Sequence, residues 1–164
     1  MMQNEDAVMK AIKTAFKTND RFRAVKDFLF QVKDAKRKVS LIEGRIEFRK
    51  ESMEARGASY TERLSSGRDF SGSIVENTVA ALDELRRELA EAEQAYTDAK
   101  VAVSDLCAKL EDVNQQSVIT RRYIKGQSWE KIAQDMDMSV RSVQKLHGRA
   151  LPLLEEILKA REAA

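Results

Sequence analysis

Ten apolar positions constrain this chain more than anything else in it. Leu82, Leu85, Leu89, Ala92, Tyr96, Ala99, Val103, Leu106, Leu110 and Val113 follow one another at alternating spacings of three and four. A heptad stripe sustained over that distance specifies a long α-helix with one continuous packing seam. At 1.5 Å per residue the stripe is about 48 Å long. It needs a partner of similar length, and the preceding residues supply one. From Arg21 to Ala55 a second helical stripe runs through Phe22, Val25, Leu29, Val32, Val39 and Ile46, interrupted by Lys36 and Glu43. Phe28, Ala35 and Ile42 offer a neighbouring stripe on the same helix.

Charge says how the two helices meet. Arg21 to Lys50 holds ten basic and four acidic residues, a balance of +6, whereas Glu76 to Asp112 holds ten acidic and four basic, a balance of −6. Opposite helices joined by a connector are expected to fold back as an antiparallel hairpin. Each surface pair contributes only about 0–1 kcal/mol, so segregated charge selects the pairing more than it stabilises it. Residues 56–73, with Gly57, Gly67, Gly72 and several serines, read as the connecting loop. Residues 7–16 place Ala7, Val8, Ala11, Ile12, Ala15 and Phe16 on one face of a short N-terminal helix, and Thr18 to Asp20 break it. A two-helix hairpin leaves outer faces wet, so a second copy or the short N-terminal helix is expected to pack against it; a homo-oligomer formed through the arm is expected, a dimer being favoured.

The last third reads differently. Val118, Ile119 and Tyr123 close a helix that stops near Gly126. Ser128 is placed to N-cap a short helix from Trp129 to Met136, and Ser139 to N-cap a third carrying Val140, Val143, Leu146 and Ala150. Between them Asp137 and Met138 make a tight turn, where Asp tolerates the left-handed conformation better than most residues. Ala133 supplies the small side chain that two closely crossing helices require. The pattern is a helix-turn-helix. Pro152 is expected to kink the third helix or restart it.

The residues this fold leaves outside carry the chemistry of DNA recognition. Ser139, Val140, Arg141, Gln144, Lys145 and Gly148 line the outer side of the third helix, where base edges are read. Arginine suits guanine and glutamine suits adenine in bidentate readout. Arg121, Arg122, Lys125, Lys131 and Arg149 are placed for phosphates. The whole chain carries only +2, but residues 117–151 hold seven basic and three acidic residues, a local +4.

Gly126, Ile132-Ala133, Ser139, Val143 and Arg149-Ala150-Leu151 together resemble the helix-turn-helix of region 4 in bacterial sigma factors. With a helical hairpin in front, the chain is similar to the small phage and prophage late-gene transcription regulators of the RinA and ArpU type. That resemblance implies a regulator that binds double-stranded DNA in the major groove and contacts RNA polymerase. The aromatic-rich sigma segment that melts promoters has no counterpart, so a complete initiation factor is not expected. The alternative is a phage small terminase subunit, a packaging protein that also joins a helix-turn-helix to a helical hairpin.

Other classes fit poorly. His147 is the only histidine and falls in the recognition helix, where a phosphate contact or a plain surface position is expected. Cys107 is the only cysteine, borders the seam and reads as a small apolar filler. No phosphate-binding Gly-rich loop and no metal-ligand spacing are present, so no enzyme activity, metal or cofactor is expected. No apolar run reaches the length of a membrane span, and Met1 to Asp20 lacks the pattern of a signal peptide. A cytoplasmic protein is expected. The predicted architecture is all-α: a short helix in residues 1–20, a coiled-coil hairpin over 21–112 and a helix-turn-helix domain over 113–164.

Overall fold

The computed structural model describes residues 21–63 and 72–164. The predicted helix at 7–16 and its capping residues lie outside them. Among the described residues the chain is all-α: α1 (Arg23–Arg63), α2 (Gly72–Cys107), α3 (Val113–Ile119), α4 (Trp129–Asp135) and α5 (Val140–Ala163). A π-helical segment, Thr120–Ile124, follows α3 directly. No described helix is long and apolar enough to cross a membrane. A long helical hairpin region precedes a small helical domain, as the charge and heptad patterns predict.

Two compact units divide the chain, and their borders fall inside helices. One comprises Asp34–Ala99. Its core joins Ile42 and Ile46 of α1 to Leu82, Leu85 and Ala92 of α2, with Val39, Met53 and Leu89 packed at the edges. Arg45 Nη1 reaches Glu88 Oε2 across the two helices at 3.2 Å. The short connection from Arg63 to Gly72 makes the two packed helices antiparallel. The neighbouring stripe explains how α1 avoids burying charge: Ala35 and Ile42 turn inward and Lys36 and Glu43 stay exposed. The packing line therefore steps from Val32 to Ala35 instead of continuing to Lys36.

Two boundaries differ from the sequence reading. The loop expected from residue 56 begins later, because α1 runs on to Arg63 and Gly57 lies within it. A helical glycine costs about 1 kcal/mol against alanine, and the surrounding Glu54, Ala55, Arg56, Glu62 and Arg63 are good helix formers that outweigh it. The seam, in turn, does not reach Val113 as one helix. α2 stops at Cys107, and Val113 is 72% exposed. Asp112 intervenes: its carboxylate accepts hydrogen bonds from Asn114 N and Gln115 N and starts α3. Leu110 remains 3% exposed in the turn, which is why the apolar spacing looks unbroken.

The other unit comprises the described residues up to Lys33 together with Lys100–Ala164. Val25, Leu29 and Val32 of α1 are buried in it, as are Val103, Leu106 and Cys107 of α2. The helix-turn-helix thus shares its compact unit with the first turns of α1, where the sequence reading separates the two at residue 113. Burial pushes the Cys107 thiol up to about 11 and holds it neutral. Leu106, Ile119, Ile132, Leu154 and Val143 are among the largest fully buried side chains, each contributing about 1.5–3 kcal/mol from burial.

Candidate nucleic-acid interface

α3, α4 and α5 form the helix-turn-helix head, with α5 packed against both of the others. Its core is small: Val118, Ile132, Ala133 and Val143 are buried, and Trp129, Met136, Met138, Val140 and Leu146 close around them. Ala133 is where the sequence reading puts the small residue of the crossing. Both predicted caps are present. Ser128 Oγ accepts from Lys131 N at 3.2 Å, and Ser139 Oγ accepts from Ser142 N at 3.1 Å. Asp137 adopts φ +53°, the left-handed turn conformation that its side chain tolerates. Gly126, at φ +69°, turns the chain between the π-helical segment and α4. α5 is one helix through Pro152. The proline deletes one intrahelical hydrogen bond, to the carbonyl of Gly148, which lies on an exposed stretch where water can replace it.

Of the predicted base-reading residues, Ser139 at the N-cap and Arg141, Gln144, Lys145 and Gly148 on α5 are exposed. Val140 is different: it is half-buried and packs against the core. It lies on the inward side of the same turn that presents Arg141.

The predicted phosphate residues split into two groups. Lys125 and Arg149 are exposed and, among the described residues, pair with no carboxylate. Arg121, Arg122 and Lys131 have partners inside the head. Arg121 Nη1 lies 2.9 Å from Asp135 Oδ2, with those side chains only 26% and 22% exposed. Lys131 Nζ takes Oδ1 of the same carboxylate at 2.9 Å, and Gln127 Nε2 donates to Oδ2 at 3.1 Å. The hydrogen bonds from Lys131 and Gln127 and the Arg121 charge hold Asp135 below the usual carboxylate range. Arg122 Nη1 donates to Gln127 O at 2.9 Å, and its guanidinium sits 4.5 Å from the centre of the Trp129 ring. Arg121 and Arg122 therefore brace the loop that carries α4.

His147 also departs from expectation. It is half-buried, with Nε2 2.9 Å from the Tyr123 hydroxyl. The two rings stack at 5.8 Å, Trp129 meets His147 edge-on at 5.0 Å, and Phe30 of α1 meets Tyr123 edge-on at 5.2 Å. Burial first, then the charges of Lys26 and Arg122, lower the imidazole pKa to about 4. The ring is neutral at pH 7 and accepts from Tyr123 or donates to it according to tautomer. This four-ring cluster and the Asp135 carboxylate are absent from the sequence reading. Local spacing offers only the Lys131–Asp135 pair, four residues apart on α4; the other partners come together only on folding.

Residues 112–154 match the family described as Sigma-70, region 4. No curated protein and no solved structure matches the chain significantly.

Proposed function

We propose that this protein is a sequence-specific, DNA-binding transcription regulator that places α5 in the major groove. One observation carries the reading: a sigma region 4-like segment whose core anchors point inward while Arg141, Gln144 and Lys145 are exposed together. In this reading Ser139, Arg141, Gln144, Lys145 and Gly148 face base edges, and Lys125 and Arg149 hold the backbone. The half-buried Val140 touches at most a thymine methyl.

The biological setting is a phage or prophage late promoter, with RNA polymerase as a second partner and a dimer as the working form. It rests on the hairpin-plus-head architecture and the sigma-like motif. No catalytic role is assigned to Cys107 or His147; one thiol is held neutral by burial and the imidazole by burial and nearby charge.

The test is selection of bound duplexes from a random pool, followed by the solution mass of the protein. Enrichment of one sequence and a monomer or dimer support the regulator. A closed ring of subunits supports the packaging alternative. Failure to enrich any sequence removes both.

A further inference from the structure

The four-ring cluster ties the first helix to the reading head, and it brings a cation with it. Phe30 of α1 touches Tyr123, which is hydrogen-bonded to His147 of α5. His147 lies three residues after Gln144, about 60° round the helix from it, and directly precedes Gly148. It therefore borders the face assigned to base readout. Lys26 stands one turn before Phe30 on the same side of α1. Its charge acts on the imidazole of His147, as does that of Arg122. Lys26 is half-buried, and no described carboxylate pairs with it. Arg122, its companion charge, engages Gln127 O and the Trp129 ring, and its field extends to the exposed Glu130 carboxylate.

We infer that the reading head is completed by α1: Lys26, held beside the recognition helix by the Phe30–Tyr123 contact, binds a DNA backbone phosphate at the edge of the groove that α5 enters. The inference rests on the DNA-binding reading above and adds a residue outside the helix-turn-helix to it. A recognition helix in a groove is flanked by phosphates of both strands, and a cation on a rigid neighbouring helix is pre-positioned for one of them. Such a contact carries no sequence information. It adds affinity on every duplex alike and weakens with rising salt.

The experiment uses the full chain as wild type, Lys26→Met, which keeps the packing stem without the charge, and Lys26→Arg. Affinity is measured on a selected duplex and a scrambled one across a salt series, with a thermal melt of each protein. Lys26→Met is expected to bind both duplexes about fivefold more weakly at ~0.15 M salt, with the salt slope reduced by about 0.9, and Lys26→Arg to restore both. The His147 imidazole pKa, read by NMR, is expected to rise in Lys26→Met. Unchanged affinity and slope in a folded Lys26→Met overturn the inference and leave the DNA-binding reading intact. An unmoved His147 titration overturns the placement of Lys26. Absence of binding by the wild type on any duplex removes the function reading, and the inference with it.

Discussion

The Tyr123 hydroxyl and His147 Nε2 lie 2.9 Å apart, joining the π-helical segment to α5. That bond needs a neutral imidazole if the phenol is to donate. With a folded pKa of about 4 against 6.5 for the free side chain, the unfolded chain binds the proton first on acidification. The stability from this site is fully present above pH 6.5 and is lost as pH falls from 6.5 towards 4. The loss amounts to at most about 3 kcal/mol. The depressed carboxylates Glu130 and Asp135 act lower, since stability from a lowered acid is lost only as pH falls below its ordinary value near 4. Urea titrations between pH 7.5 and 4.5 should show the wild type weakening. His147→Phe should flatten that slope, and an unchanged slope in this variant would show that another group titrates.

Asp135 organises the loop before α4 through Arg121, Lys131 and Gln127. Arg121→Ala should lower the urea midpoint, and Asp135→Asn should do the same because Arg121 keeps its charge without a counter-ion. Lys125→Ala, on an exposed residue, should stay within about 0.5 kcal/mol of wild type. Equal stability for Arg121→Ala and Lys125→Ala would place Arg121 on the surface, free for phosphate.

Two packing changes probe the head and its mount. Ala133 is buried between α4 and its neighbours, so Ala133→Leu should overpack the site and cost about 1–3 kcal/mol. Phe30→Ala removes a ring from Tyr123 and should cost about 1–2 kcal/mol, less than a full core aromatic because Phe30 is partly exposed. Both are read by urea unfolding. A Phe30→Ala protein as stable as wild type would mean that α1 does not brace the head.

Local chemistry was legible in the residues, and distant chemistry was not. Ser128, Asp137 and Ser139 announce caps and a turn because each acts on backbone within three positions of itself. Ala133 and Val143 are legible because a short turn between two helices allows few packings. The pairing of Arg121 with Asp135 is hidden in the sequence because the two lie fourteen residues apart, across a turn. Phe30 and Tyr123 belong to helices far apart in sequence, and no periodicity links them. The end of α2 is hidden by Leu110, whose burial continues the heptad after the helix has stopped.

Reading and holding should separate in mutants of the exposed residues. Arg141 and Gln144 lie one turn apart on the outer face of α5, the spacing at which two side chains address adjacent base pairs. Replacing either with alanine should cost about 1–3 kcal/mol on the selected duplex while leaving weak binding to scrambled DNA nearly intact. Lys125, beyond the π-helical segment, and Arg149, one turn after Lys145 on α5, are exposed cations assigned to the DNA backbone. Replacing either should weaken both duplexes alike and reduce the salt slope by about 0.9 for each phosphate that is no longer neutralised. Arg121→Ala and Arg122→Ala belong to neither class, since both side chains are engaged inside the head, and their effect on binding should track their effect on stability. The measurement is one salt titration per variant on the two duplexes, with a thermal melt beside it. If Arg141→Ala and Gln144→Ala weaken binding to scrambled DNA as much as to selected DNA, α5 does not read bases, and the sequence-specific reading falls while non-specific binding stands.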